Sequence, residues 1–301
     1  MNSQTSSNHS IKETTYKILY DKQIGKGGFG SLYKCIETSS GNDQLAVKLE
    51  TISTTNDTSS KKTSLYLELK VLKYLQGGIG VPRFISYGSS SEYNYLIMEL
   101  LSDNLNDIFH THNEHCSLEN IINISIQMLD RIEFLHSKGF IHRDIKPENF
   151  ALGNKKSNRN IVYLIDYGLT KPFINKNTKM HIPYSEGKKF VGTLRYASPN
   201  SHFGIALSRR GDLISFTYCV MYFINGSLPW EKIKKRKDDD TYADILTYKL
   251  GITSDNAYNK ENIHPNLIKI VTYVMGLKFE EMPNYNYIRK LIIEINDGKV
   301  N

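Results

Sequence analysis

The 301-residue sequence predicts an α+β protein in two unequal parts, a small antiparallel sheet with one main helix and a larger, mostly helical remainder. Three observations carry that class. Between Tyr16 and Glu50, short strand-like pieces alternate with glycines and turn residues. From about Leu118 the apolar period becomes helical, with Ile122, Ile126, Leu129 and Ile132 on one face. No Pro/Gly-rich linker separates the two regimes, which suits two lobes of one unit better than two independent domains.

Each element follows from its own signal. Residues 1–15 are polar and expected to be disordered, with 16–100 forming the sheet-rich part and 101–297 the helical part. YKILYDKQIG (16–25) runs into a glycine cluster and then SLYKCIET (31–38), so the cluster falls at a hairpin bend. Ser40-Gly41-Asn42-Asp43 turns the chain into QLAVKLE (44–50), and TISTTNDTSSKKTS (51–64) is a loop with little to bury. SLYLELKVLKYLQ places Leu65, Leu69 and Leu72 on one helical face and stops at Gly77-Gly78. YNYLIMELL (93–101) is a buried strand. LISFTYCVMYFI (213–224) is the longest apolar run, about twelve residues that include a Ser and a Thr; it is short of the roughly 20 that span a bilayer and reads as a buried helix.

Composition narrows the function classes. Hydrophobic residues make up 40% and charged residues 23%, as in an ordinary soluble domain. A net charge of +7 and a pI near 9.0 suit anionic partners: nucleotides, acidic or phosphorylated proteins, or nucleic acid. Cys35, Cys116 and Cys219 are widely spaced, which speaks against a zinc site or a disulfide framework and for a reduced, intracellular setting. The polar start MNSQTSSNHS lacks the apolar core of a secretory signal.

Four motifs carry chemistry. In IGKGGFGSLY, Gly25, Gly27 and Gly30 fit G-x-G-x-x-G, a pattern shared by dinucleotide fingerprints, phosphate-covering hairpins and plain flexible turns. A strand-like segment rather than a helix follows, which favours the hairpin, where glycines let main-chain N–H groups approach phosphate oxygens. In LAVKL, Lys48 shares a face with Ala46, opposite Leu45 and Val47, and points under the hairpin. A lysine there can pair with nucleotide phosphates, with Glu68 as the carboxylate to fix it. Lys48 alone could also be a surface lysine on a strand, and Glu68 alone reads first as one more exposed helix glutamate. FIHRDIKPENFALG (140–153) gathers three useful groups. Asp144 can orient and deprotonate an attacking hydroxyl, Lys146 can steady a transferred phosphoryl, and the Asn149 amide oxygen can take magnesium. In YLIDYGL (163–169), Asp166 precedes Gly168 on a tight turn suited to a metal-binding carboxylate.

The order and separation of GKGGFG, AVKLE, HRDIKPEN and DYG resemble a eukaryotic protein kinase from about Tyr16 to Ile295. Lys146, two residues after the base, is the Ser/Thr-kinase pattern. ASPN (197–200), SRRGDL (208–213), GSLPW (226–230) and PYSEGKKFVGTLRYAS (183–198) resemble the casein kinase 1 family. The related tau-tubulin and vaccinia-type kinases share SRRGDL and LPWEKIK, but HRDIKPEN separates this chain from the vaccinia-type branch.

The resemblance implies a bilobal kinase fold that uses ATP and Mg2+. Gly25, Lys26, Gly27, Gly28, Phe29 and Gly30 would cover ATP, Ile24, Leu32 and Ala46 would wall the adenine, and Glu99 and Leu101 would offer it main-chain groups. Lys48, paired with Glu68, would bind phosphates. Asp144 would be the base, with Lys146 beside it, and Asn149 and Asp166 would hold magnesium. Asp212 would anchor the catalytic loop. Arg195, helped by Lys232 and Lys234, would read an anion about three residues before the target Ser/Thr. Glu231 and the run Asp238–Asp240 would weaken that preference. Arg143, Lys171 and Lys188 would form a second anion site, although two solvated lysines fit the sequence as well.

The expected activity is therefore Ser/Thr phosphorylation of proteins with acidic or phosphorylated residues upstream, by a monomer in the cytoplasm, the nucleus or both. Neither membrane nor nucleic acid is an expected partner. A pseudokinase scaffold is opposed by the presence of Lys48, Glu68, Asp144, Asn149 and Asp166 together. A basic nucleic-acid-binding module lacks aromatic-interleaved basic motifs, and KIKKRK (232–237) reads better as a solvated loop than as a nuclear-import or nucleic-acid patch. Family members often carry a regulatory tail after this domain; with Asn301 as the last residue, tail autoinhibition is not expected.

Overall fold

The strand-like segments on either side of the glycine cluster close into an antiparallel hairpin in the computed structural model. It describes residues 10–11, 16–27, 30–38, 44–52, 63–112, 116–233, 238–252 and 263–297. Strands β1 (Ser10–Ile11), β2 (Tyr16–Gly27), β3 (Gly30–Glu37), β4 (Gln44–Thr51), β5 (Phe84–Ser89) and β6 (Tyr93–Glu99) form one sheet in the order β1-β2-β3-β4-β6-β5. Every pairing is antiparallel. Leu45, Val47 and Leu49 join Ile18, Cys35, Tyr95 and Ile97 in a buried cluster on one face. The two-residue strand period therefore puts Ala46 and Lys48 on the other face. Ser10 and Ile11 pair with Lys17 and Tyr16 inside a stretch expected to be structureless. The edge of β2 offers them unpaired main-chain groups, which local composition does not reveal.

Helix α1 (Ser64–Leu75) begins where the Thr63 hydroxyl accepts from the Tyr66 N–H at 3.3 Å. It buries Leu65, Leu69 and Leu72 as their spacing predicts, and Glu68 with them. The helix ends at Gln76, whose amide donates to Leu72 O and Pro82 O, and Gly77 takes φ 84° just beyond.

The helical part contains α2 (Leu105–His112), α3 (Leu118–Ser137), α4 (Pro199–His202), α5 (Arg209–Asn225), α6 (Asp238–Gly251), α7 (Pro265–Gly276) and α8 (Tyr285–Asp297). Two small ladders accompany them. One pairs β7 (Phe140–Ile141) with β10 (Lys171–Pro172), and the other pairs β8 (Phe150–Leu152) with β9 (Val162–Leu164). Helix α5 is buried all round from Leu213 to Phe223 and packs against α3 and α7, as its largely apolar run predicts; the Ser215 and Thr217 hydroxyls within it donate to Gly211 O and Leu213 O. Among the described residues no helix is long and apolar enough to cross a membrane. On α3 the buried stripe departs from the expected one: Ser125 is buried and Ile126 only half-buried. The Ser125 hydroxyl donates to Ile121 O at 2.7 Å, so a small self-satisfied side chain takes the inward position.

The chain divides into two compact units. The first holds the sheet and α1 together with Gly153–Asn160 and Asp166–Gly168, and the second holds the remaining helices and ladders. Gly28, Phe29, Lys234, the 40–43 turn and most of the 51–64 loop lie outside the described residues, as does the expected disordered start apart from Ser10 and Ile11.

The three motif glycines are not equivalent. Gly30 has φ 134°, and a Cβ there would run into the Leu49 carbonyl oxygen. A Cβ on Gly25 would meet Leu32 at 3.5 Å, an ordinary contact, and one on Gly27 would meet nothing. Gly30→Ala should cost about 2 kcal/mol or more, roughly 4–8 °C in thermal midpoint. Gly25→Ala and Gly27→Ala should stay close to wild type. Equal midpoints for all three variants, by calorimetry, would remove the special status of Gly30.

Candidate active site

In the first unit β4 and α1 bring a lysine and a carboxylate together. Lys48 Nζ lies 2.6 Å from Glu68 Oε2 and 2.8 Å from Asp166 Oδ1. Burial alone would lower the lysine, but the two carboxylates outweigh it and hold Lys48 above its ordinary range, so it stays charged. Burial lifts the Glu68 carboxyl, and the neighbouring ammonium and the Tyr167 N–H oppose that lift. The direction that decides the pair is that of Lys48, because one ammonium serves two carboxylates. Asp166 itself takes the left-handed conformation of its turn, at φ 61°.

Other sequence candidates of this unit sit as follows. Ala46 is buried, Gly25 and Leu32 are half-buried, and Ile24, Lys26 and Gly27 are exposed. Gly30 faces Ser31's partner strand at the start of β3. The Glu99 N–H donates to Arg83 O at 3.0 Å and its carboxylate accepts from the Arg83 N–H at 2.9 Å. Leu101 is half-buried.

In the second unit a single 3-10 turn, Pro147–Asn149, with proline at its start, leads from the Asp144 loop into β8. The Asn149 amide donates to Asp144 O at 2.8 Å and to Asp144 Oδ2 at 3.3 Å. Lys146 Nζ lies 2.9 Å from Asp144 Oδ2. Thr193 donates its hydroxyl to Asp144 Oδ1 at 2.8 Å and accepts from Lys146 Nζ at 3.1 Å. Both carboxylate oxygens of Asp144 are thus fixed. Thr193 belongs to none of the four motifs that carry chemistry, and its one available signal is a hydroxyl residue two positions before Arg195.

Beneath this loop Asp212, in the first turn of α5, gathers main-chain donors. Its Oδ2 accepts from the His142 N–H at 2.7 Å and its Oδ1 from the Arg143 N–H at 2.8 Å. His136 Nε2 lies 2.9 Å from Oδ2, and His136 Nδ1 lies 2.7 Å from the Tyr285 hydroxyl. Burial would raise the Asp212 carboxyl, yet the hydrogen bond and charge of His136, with His142, hold it below the usual range. The clamp also holds Arg143 at φ 72°, a conformation that costs energy for a non-glycine residue.

Two groups of cations were singled out in the sequence. Arg143 donates through Nε to Leu169 O at 2.6 Å. Burial lowers Lys171, and the nearby charges of Arg143 and Lys188 lower it further, so positive potential is concentrated there. Arg195 is already engaged. It forms an ion pair with Glu231, and its guanidinium stands 4.4 Å from the Tyr222 ring centroid and 5.2 Å from that of Tyr196. Lys232 is exposed; Lys234 and the side chains of Asp238 and Asp239 lie outside the described residues. Among those residues no cluster of three or more His, Cys, Asp or Glu is placed to hold a metal.

A lysine locked by two carboxylates on the strand paired with the glycine hairpin, and a loop aspartate held by lysine and threonine, are the side-chain arrangements that a phosphotransferase of the kinase class uses. The protein kinase domain family matches residues 18–286, and the chain belongs to that family.

Proposed function

We propose that the chain is an active serine/threonine protein kinase of the casein kinase 1 type, acting on acidic or pre-phosphorylated proteins. The observation that carries this reading is the Asp144–Lys146–Thr193 cluster, with contacts of 2.8–3.1 Å. A carboxylate held this way keeps one orientation toward an incoming hydroxyl. The acceptor oxygen bonds to the γ-phosphorus of ATP as the β–γ bridging P–O bond breaks. The hydroxyl proton passes to Asp144, and ADP leaves. Lys146 steadies the oxygens of the moving phosphoryl group, and Lys48 orients the phosphates that stay behind.

The residues present suit magnesium. Asn149 commits its NH2 group to Asp144, which leaves its amide oxygen as the donor atom, and Asp166 supplies a carboxylate. Each is a hard oxygen of the kind that would suit an ion keeping waters and phosphate oxygens as its other ligands. Bound there, the ion would neutralise developing charge on the phosphates. A pseudokinase reading is disfavoured by the engaged Lys48–Glu68 pair and the complete Asp144 cluster.

In this reading Arg195 meets the substrate's upstream anion and Glu231 competes for it. Wild type should therefore prefer a peptide with phosphoserine three residues before the target only modestly, by roughly three- to tenfold, equivalent to about 0.7–1.4 kcal/mol. Glu231→Gln should raise that preference and Arg195→Ala should abolish it. The test is kcat/KM for a peptide pair differing only in that phosphate, with phosphoamino-acid analysis of the product. A product containing only phosphotyrosine would end the Ser/Thr reading. An unchanged preference in Arg195→Ala would end the anion role.

A further inference from the structure

We propose that Lys249 is a positioning residue for the protein acceptor, tying the turn Thr193–Ala197 in place beside the catalytic base. This rests on the kinase reading above. Lys249, near the end of α6, is fully buried. Its Nζ donates to Leu194 O and to Ala197 O, each at 2.7 Å, and lies 3.2 Å from His202 Nε2. The ammonium also stands 5.2 Å from the Trp230 ring centroid and 5.6 Å from that of Tyr218. Among the described residues no carboxylate lies within ion-pair distance of it.

A buried lysine without a carboxylate is an expensive choice for a core position, since a methionine would fill similar space at no desolvation cost. Burial pushes Lys249 down to about 7, and burial together with Lys249 pushes His202 down to about 3. His202 is thereby a neutral ring whose Nε2 can accept. What the lysine supplies that methionine cannot is a set of donors to main-chain oxygens turned inward.

Those oxygens belong to one turn. Tyr196 N–H and Ala197 N–H both donate to Thr193 O, at 2.9 and 2.8 Å, and Trp230 Nε1 donates to Arg195 O at 2.9 Å. Three carbonyls of the turn are thus taken by Lys249 and Trp230. The turn opens with Thr193, whose hydroxyl touches Asp144, and with Gly192 at φ 99°, where a Cβ would approach Arg143 O to 2.8 Å. An acceptor hydroxyl that reaches Asp144 must therefore pass this segment. Fixing its carbonyls from behind fixes the surface the acceptor meets.

Lys249→Met tests the assignment, with peptide kinetics, ATP kinetics and amide hydrogen exchange measured on one preparation. The expected result is a folded protein whose KM for a Ser/Thr peptide rises about tenfold while its KM for ATP stays within twofold. Exchange at the Tyr196 and Ala197 amides should accelerate at least tenfold, with α5 unchanged. Should the methionine variant not fold, Lys249→Gln, which keeps a shorter donor, is expected to raise peptide KM at least threefold with the same selectivity. A peptide KM within twofold of wild type in the folded variant overturns the proposal, as does unaltered exchange in the turn. Wild type that transfers no phosphate to Ser or Thr sinks the kinase reading instead; exchange, which needs no catalysis, still decides the fate of the tie.

Discussion

Asp212→Ala should lower the thermal midpoint by on the order of 10 °C and reduce kcat at least a hundredfold. The carboxylate accepts from His142 N and Arg143 N and contacts His136 Nε2, all within 2.9 Å and away from water. Removing it strands these polar groups. Each buried orphan costs about 1–3 kcal/mol, and loss of one partner from a buried charged network costs about 3–5 kcal/mol in total. At roughly 2–4 °C per kcal/mol, a shift on the order of 10 °C follows. Arg143 also loses the restraint that keeps it at φ 72°, so the loop bearing Asp144 is free to relax. The acid limb of stability provides a second readout. Because Asp212 is held below its unfolded value, its contribution is full above about pH 4 and is lost as pH falls through the lower folded value. The alanine variant should lack that component and show a shallower loss of stability in acid. Identical acid limbs, measured by urea midpoints between pH 2 and 6, would show that the clamp is not ionised in the way described.

Asp144→Asn should leave the fold intact and lower kcat by about 10²–10⁴-fold. The amide can still accept from Thr193, so the loop geometry has a substitute, but it cannot accept the hydroxyl proton, and Lys146 loses its ionic partner. Affinity for ATP should remain within a few-fold, because Lys48, Glu68 and Asp166 form their own cluster. Single-turnover phosphoryl transfer, with nucleotide affinity measured separately, distinguishes the two effects. A loss of less than tenfold would remove Asp144 from the role of base.

The chemistry-bearing residues were legible in the sequence where type and spacing together are restrictive. Lys48 faces away from Leu45 and Val47 by strand alternation, and Glu68 sits four residues before Leu72 on a helix, so their meeting follows from two local periods. Asp212 was legible only through the SRRGDL resemblance, since nothing local tells an aspartate in the first turn of a helix that it serves a loop seventy residues earlier. Glu231 stood out in the sequence as an obstacle to anion reading, and the structure gives it a concrete form as the ion pair on Arg195. Thr193 and Lys249 were not legible for a common reason. One acts through a hydroxyl and the other through donors to main-chain carbonyls, and carbonyls carry no residue identity. Ser125 replaced Ile126 in the buried stripe because helical period fixes a face only to within about one residue.

The Tyr285 hydroxyl at the start of α8 gives the hydrogen-bonded chain through His136 and Asp212 a temporal meaning. A growing polypeptide lays down the catalytic loop near residue 144, long before the ribosome has added the helix that supplies the last member of its support. A nascent protein can hold every residue of the phosphate-handling chemistry while His136 still lacks its outer partner. Completion of the scaffold thus depends on the end of translation of this domain, and a chain stalled before Tyr285 carries a catalytic loop with unfinished foundations.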